Sequence, residues 1–275
     1  MCRWLAYSGA PLVLSKMLFG SEHGLIEQSL HARQSTETTQ GDGFGIGWYG
    51  GRERPGLFRS VLPAWNDRNL RDLAEQVEAP LFLAHVRRST GTMVQQTNCH
   101  PFRHGRWLFV HNGLVRELAA LRRDLVLGVP AELFDGIEGT TDSEILFHLA
   151  LGFGLEHDPV PALQRMAGYV EEVGARHGIE RPLRMTLGVS DGRRLIAVRY
   201  SSDGDSPTLY RSRSVVALEE LMPAEENLHH RACVIVSEPL DDLVEDWVAL
   251  PEGSVLLLAD GRCELRTFAA ARSGA

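Results

Sequence analysis

Long apolar runs are missing from this chain. A run such as VLLLA at 255–259 is far short of the ~20 apolar residues that a membrane-spanning helix needs. The opening MCRWLAYSGAPLVLSK lacks the charged segment, long apolar stretch and small-residue cleavage site of a secretory leader, so a cytoplasmic location is expected. No block of Lys or Arg stands out, the formal net charge is −8, and the sequence pI is about 5.8. That balance argues against nucleic acid or an anionic membrane as a partner. Cysteine is sparse: 4 residues in 275, at positions 2, 99, 233 and 263, with no CxxC pair. A chain of this length does not need disulfide staples, and unclustered ligands do not make a zinc site. Neither a metal nor a cofactor is expected. Cys233 in ACVIVSEP and Cys263 in RCELRTF read as small buried hydrophobes on strands. Repeats and low-complexity segments are absent as well.

What remains is ordinary globular material, 44% apolar and 23% charged, with enough length for a sizeable core. A single domain is expected over 1–268, followed by a short flexible tail at 269–275. Strand-like runs fill both ends: 3–8, 43–49, 56–62, 81–87 and 106–112, then 184–190, 193–200, 208–213, 214–218, 232–237 and 254–259. Each is bounded by Gly, Pro, Asp or Asn, as strand ends are. Helical periodicity marks 66–78 (Leu70, Leu73, Ala74 and Val77 on one face, Asn66 or Asp67 as cap), 116–127, 141–153 and 161–177. The 141–153 segment opens on TDSE, the pattern of a capping box. Strands, then helices, then strands describe a layered α+β domain.

Gly45, Gly47 and Gly50 match G-x-G-x-x-G, but GRERPGL follows and cannot be the first turns of a helix. Without a helix N-terminus there is nothing to hold a pyrophosphate, so these glycines are expected to serve close backbone approach instead.

Chemistry concentrates elsewhere. If Met1 is removed, Cys2 carries both a thiol and a free α-amine. Such groups titrate near 8.5 and 7.7–8.0 respectively, so roughly half of the amine is neutral just above pH 7.5 and can take the thiol proton. LAHVRRSTG at 83–91 places Arg87, Ser89 and Thr90 at a strand end, where an arginine can clamp a carboxylate through two parallel bonds. QQTNCHPF at 95–102 adds polar groups before a proline turn. In WLFVHNGLV at 107–115, the Asn112 amide and the Gly113 N–H can converge on one oxygen, as an oxyanion hole requires. Taken alone, Asn-Gly is a tight turn. Asp142, inside TDSE, offers either a helix-dipole partner or a carboxylate for a substrate ammonium. Together, thiol, amine, guanidinium, oxyanion donors and carboxylate describe a site for a γ-linked amide of an amino acid.

The pieces Met1-Cys2, DGFGIGW at 42–48, HVRRST at 85–90, NCHPF at 98–102, HNG at 111–113 and TDSE at 141–144, in this order, resemble the class II, N-terminal-nucleophile, glutamine amidotransferases. SEPL at 237–240 fits the small stand-alone members, among them the γ-glutamyl hydrolase of ergothioneine synthesis. The resemblance implies a four-layer αββα sandwich of the N-terminal-nucleophile hydrolase type. It implies Cys2 as nucleophile with its own amine as base, Asn112 and Gly113 as oxyanion hole, and Arg87 and Asp142 on the glutamyl α-carboxylate and α-ammonium with Thr90 assisting. Arg33, Asp42, Gly43 and His100 are expected as supporting groups. Two departures, Arg88 where many synthases carry an aromatic and Gly91 where some carry His, bear on the carboxylate side of the pocket.

The expected activity is hydrolysis of glutamine, with an ammonia-accepting partner enzyme, or of a γ-glutamyl conjugate, with none. The segment 51–66 and the strands after 180 are expected to shape the leaving-group side. Two other readings compete: a catalytically silent glutamine-binding regulatory domain, and a papain-like hydrolase built on Cys99 with His100 or His111. The last is disfavoured, because adjacent side chains on an extended chain point to opposite faces.

Overall fold

The computed structural model describes residues 2–34, 38–89, 91–213, 232–259 and 262–271. One sheet contains β1 (Arg3–Val13), β2 (Phe44–Trp48), β3 (Gly56–Ser60), β4 (Glu78–Val86), β9 (Tyr210–Ser212), β10 (Cys233–Val236) and β11 (Trp247–Ala249), in the order β11-β9-β10-β1-β4-β2-β3. The other contains β5 (Phe102–His104), β6 (Trp107–Val115), β7 (Leu183–Ser190), β8 (Arg194–Ser201), β12 (Ser254–Ala259) and β13 (Arg262–Thr267), in the order β13-β12-β8-β7-β6-β5. The recorded pairings are antiparallel. Helices α1 (Leu14–Phe19), α2 (Leu25–Leu30) and α3 (Arg68–Gln76) cover the first sheet. Helices α4 (Leu118–Leu127), α5 (Ala131–Phe134), α6 (Asp142–Gly152) and α7 (Pro159–Arg176) cover the second.

Strand periodicity builds the four layers. Side chains alternate faces along a strand, so Trp4 and Ala6 of β1 enter the core between the sheets while Leu5 and Tyr7 pack under α1–α3. In β6, Leu108 and Val110 face the opposite sheet, whereas Trp107 and Phe109 face the helices, with Phe109 stacked on Phe147 at 5.1 Å between centroids. Gly45 and Gly47 lie on β2, which leads into β3 and not into a helix. A Cβ on Gly45 would come within 2.3 Å of the His100 carbonyl, so close backbone approach is what that glycine allows.

The helix starts follow the capping chemistry. The Asp67 carboxylate accepts the Leu70 N–H at 3.1 Å, and the Thr141 hydroxyl accepts the Glu144 N–H at 3.3 Å. The reciprocal half of the expected capping box is not made. Glu144 accepts the Glu138 and Gly139 N–H groups instead, at 3.0 and 2.7 Å, and so folds the preceding turn onto α6. The long helix starts at Pro159, ahead of the expected 161, because a proline in the first turn forfeits no helix bond. Helices α1 and α2 were not anticipated. Each has 6 residues, too few for a periodic signal, and each is held by burial of Met17, Leu18, Leu25 and Ile26 against the sheet. No helix among the described residues is long and apolar enough to cross a membrane.

Three expectations need correcting or bounding. Cys233 is buried, but Cys263 is exposed: β13 is an edge strand whose residues all face solvent. The expected flexible tail is anchored at its start, where Ala270 packs on the helical core and the Ala271 N–H donates to the Gln164 carbonyl of α7 at 2.9 Å. The expected strand at 214–218 lies outside the described residues.

Candidate active site

The register of the first sheet brings the nucleophile candidate to the arginine. Arg3 of β1 stands opposite Val86 of β4, so Cys2 and Arg87 step off adjacent strand ends. His85 links β4 to β6: its Nε2–H donates to the His111 carbonyl at 3.1 Å. A carbonyl can only accept, and burial holds this imidazole neutral with its pKa lowered to about 3, so Nδ1 carries the lone pair. Peptide groups along a strand face alternate edges. On β6 the His111 carbonyl goes to His85 and the Val115 N–H goes to the Asp142 carboxylate at 2.8 Å. The Gly113 N–H shares that edge, past the end of β5, where no ladder consumes it.

Cys2, Arg87, His100, Gly113 and Asp142 line one cavity of about 290 Å³. The Cys2 sulfur lies against one peptide unit, accepting the Arg88 N–H at 3.3 Å and donating to the Arg88 carbonyl at 3.5 Å. Burial pushes its thiol pKa up, opposed by the Arg88 N–H and the Arg87 and Arg3 guanidinium charges. Arg87 is itself buried. Its fork is fixed by the Asp42 carbonyl at 3.2 Å, the Thr92 hydroxyl at 2.6 Å and the Met93 carbonyl at 3.3 Å. On Asp142, one oxygen accepts the Val115 N–H and the other the Ser143 N–H at 2.7 Å.

Asn112 lies behind Gly113 and does not line the cavity. It shares the face of Leu108 and Val110, which points at the first sheet. The side chain is 1% exposed, and neither its nitrogen nor its oxygen has a partner. Leaving a buried amide unpaired costs about 1–3 kcal/mol, so its donor is available. Asp42 and Gly43 also stand off the cavity and brace the loop behind it. The Asp42 carboxylate accepts the Ser89 N–H at 2.7 Å, and Gly43, at φ 113°, leaves room for the Cys99 sulfur, which a Cβ would meet at 2.6 Å. His100 stacks on His85 at 4.1 Å with both ring nitrogens buried and unpaired. Thr90 lies outside the described residues.

Arg33 is not beside the nucleophile. Its half-exposed side chain pairs with Asp242, and only its backbone N–H turns inward, to Glu238 at 2.9 Å. Glu238 is the group that reaches the site. It takes the Arg3 guanidinium, His23 at 3.1 Å and the Gln34 N–H at 2.9 Å, and Arg3 in turn donates to the Cys2 carbonyl at 2.8 Å. Burial alone would raise the Glu238 pKa, but His23, Arg3 and the backbone donors outweigh it and hold the pKa at about 2. A depressed carboxyl pKa stabilises the fold above the unfolded value, near 4.3, and that gain is lost as pH falls toward 2. Glu238→Gln is therefore expected to cost about 2–3 kcal/mol at pH 7, with the gap to wild type closing between pH 4.3 and 2. Urea unfolding across that range measures it, and a gap independent of pH would refute the assignment.

Sequence reasoning did not assign Thr92, Arg3 or Glu238 to this site, and it named Ser89 without giving it a role. Ser89 and Thr92 sit in the same hydroxyl-rich STGT segment as Thr90. Arg3 and Glu238 are 235 positions apart and meet only through the β1–β10 pairing. Arg116, Glu117 and Leu118 form a further part of the cavity wall, with Glu117 in the left-handed region at φ 50°. The Cys99 alternative fails on geometry. Its buried sulfur faces the Ser60 and Gln95 carbonyls at 3.4 and 3.6 Å, His100 turns to His85, and burial pushes the thiol pKa up.

Residues 23–273 match the family model of the class-II glutamine amidotransferases. The chain is 32% identical to the Saccharomyces cerevisiae protein named "Probable glutamine amidotransferase DUG3", over 94% of this chain and 82% of that one. It is 30% identical to the gamma-glutamyl-hercynylcysteine sulfoxide hydrolase of Mycolicibacterium smegmatis, over 80% and 87%. A solved glutamine aminotransferase class-II domain protein from Silicibacter pomeroyi superposes with a TM-score of 0.76 and 36% identity, covering 98% of this chain and 100% of that one. The Bacillus subtilis PRPP amidotransferase shares the fold alone, at 17% identity and a TM-score of 0.62, this chain spanning 50% of it. With a four-layer αββα sandwich and a family match over most of its length, this chain belongs to the class-II glutamine amidotransferases.

Proposed function

We propose that the chain hydrolyses the γ-amide of a γ-glutamyl compound, glutamine or a larger conjugate, through a thioester on Cys2. The observation that carries this reading is the convergence of Cys2, Arg87, the unladdered Gly113 N–H and Asp142 on one cavity. The Arg87 fork holds the glutamyl α-carboxylate, and Asp142 holds the α-ammonium. With Met1 removed, the Cys2 amine takes the thiol proton as the sulfur attacks the δ-carbonyl carbon. Asn112 and Gly113 receive the developing oxyanion. The amine then gives its proton to the leaving nitrogen, the C–N bond breaks, and water resolves the thioester to glutamate and the free thiol. The mycobacterial relative is named for a γ-glutamyl substrate, which favours a conjugate over free glutamine and requires no ammonia acceptor.

Intact-mass analysis after incubation with a diazoketone analogue of glutamine tests this directly. One adduct on Cys2, on a chain lacking Met1, is expected; an adduct on Cys99, or none, would overturn the scheme. Arg87→Lys replaces a planar fork with a point charge, so KM is expected to rise about tenfold while kcat changes less. An unchanged KM in steady-state assays would remove Arg87 from the carboxylate clamp.

A further inference from the structure

A second cavity, of about 460 Å³, lies behind the wall of the first. His100 lines the catalytic cavity, Phe102 lines this one, and their rings touch at 4.5 Å between centroids. Three guanidiniums reach the second cavity from separate segments: Arg54 from the β2–β3 connection, Arg59 from β3 and Arg103 from β5. They outnumber the two carboxylates of the lining, Glu138 and Glu144. Arg54 has no hydrogen bond or ion pair among the described residues. Arg103 donates to the Pro55 carbonyl at 3.1 Å. Arg59 donates to the Cys99 carbonyl at 3.3 Å and pairs loosely with Glu138, a mostly solvent-exposed carboxylate of the same lining, at 3.9 Å. Burial and the neighbouring Arg54 and Arg59 charges depress the Arg103 pKa. Glu144 also lines the cavity, but both of its oxygens are taken by backbone N–H groups.

His148 contributes a directional acceptor. It is 3% exposed, and its Nδ1 faces the Glu144 carbonyl at 2.8 Å. That carbonyl accepts, so Nδ1 carries the proton. Burial lowers the ring's pKa and keeps it neutral. Its Nε2 therefore presents a lone pair, 2.7 Å from where a Cβ on Gly136 would stand in the same cavity lining. A ligand suited to this lining brings negative charge for the guanidiniums and one O–H for His148. A phosphomonoester, with its second pKa at about 6, brings up to two negative charges and, while singly ionised, an O–H, whereas a sulfate ester brings a single charge and no donor. The cavity is several times larger than a phosphate, and Phe102 and Leu57 give it an apolar side. We infer that this cavity binds a small phosphomonoester, its phosphoryl group held by Arg54, Arg59 and Arg103 and its organic part against Phe102 and Leu57.

Calorimetric titration of the full chain with phenyl phosphate, inorganic phosphate and phenyl sulfate tests the inference. Phenyl phosphate is expected to bind saturably, more tightly than inorganic phosphate, which lacks the organic part, and than phenyl sulfate, which has a single charge and no donor. Arg103→Gln is expected to weaken it about tenfold or more, since a charge-assisted pair is lost. Arg54→Gln, at an exposed position with no structural bond to lose, is expected to weaken it in the same direction and decides the matter if Arg103→Gln does not fold. Absence of saturable binding at millimolar phenyl phosphate, or affinity undiminished in these variants, would overturn the site. Neither arginine belongs to the thioester chemistry, so failure here leaves that proposal standing.

Discussion

Cys2→Ala is expected to bind a γ-glutamyl substrate and release no product, with turnover reduced on the order of 10⁴-fold or more. The substitution removes a sulfur whose contacts are two weak bonds to the Arg88 peptide, so the fold, the Arg87 fork and Asp142 stay as they are. Binding by calorimetry should survive where turnover does not. Cys2→Ser is expected to be nearly as inert, because a hydroxyl holds its proton far more tightly than a thiol. Burial raises the Cys2 pKa, so near neutrality the resting group is a protonated thiol, and catalysis depends on a base to take the proton. If that base is the α-amine, kcat/KM rises with pH up to about 8 and then levels as the amine becomes fully neutral. A chain with Met1 retained, or carrying an N-terminal tag, has a peptide nitrogen there and is expected to be silent. Product release by Cys2→Ala, or full activity of a chain beginning with methionine, would refute the scheme.

Most of this architecture could be read from local pattern, because the longer strands of the sandwich alternate faces over five or more residues. The four longer helices declare themselves the same way. Three of the candidate residues in the cavity, Cys2, Arg87 and Gly113, could be located because each sits at a strand start, a strand end or a strand-borne Asn-Gly. Legibility failed where the cause is non-local. Glu238 acts on Cys2 only through Arg3, across a β1–β10 pairing that no short window contains. Arg33 was misplaced for the same reason: its charge goes to Asp242, and its backbone alone joins the Glu238 cluster. Cys263 looked buried because its strand has the right residues, but burial depends on sheet order, and β13 is at an edge. The tail was read as free because alanine-rich ends carry no signal for packing, whereas Gly168 of α7 leaves the space that Ala271 occupies.

Asn112→Ala carries the other large expectation, a fall in kcat of about 10²–10³ with little change in KM. The proposed mechanism gives the oxyanion two donors, and they differ in kind. The Gly113 N–H belongs to the backbone, and strand alternation aims it; no side-chain substitution removes it. The Asn112 amide is held on the inter-sheet face, opposite Thr186, whose hydroxyl accepts the Trp4 Nε1–H at 3.1 Å. With no partner of its own, the amide loses no existing bond when an oxyanion appears. Its donation is therefore felt mostly in the transition state, and that predicts a loss in kcat. Alanine also removes a buried unpaired amide, so stability is expected to hold or rise by up to about 1–3 kcal/mol. A structural role predicts the opposite: lower stability with kcat near wild type. Thermal unfolding and steady-state kinetics on the same preparation separate the two, and a variant with KM raised and kcat intact would place Asn112 in ground-state binding, away from the oxyanion.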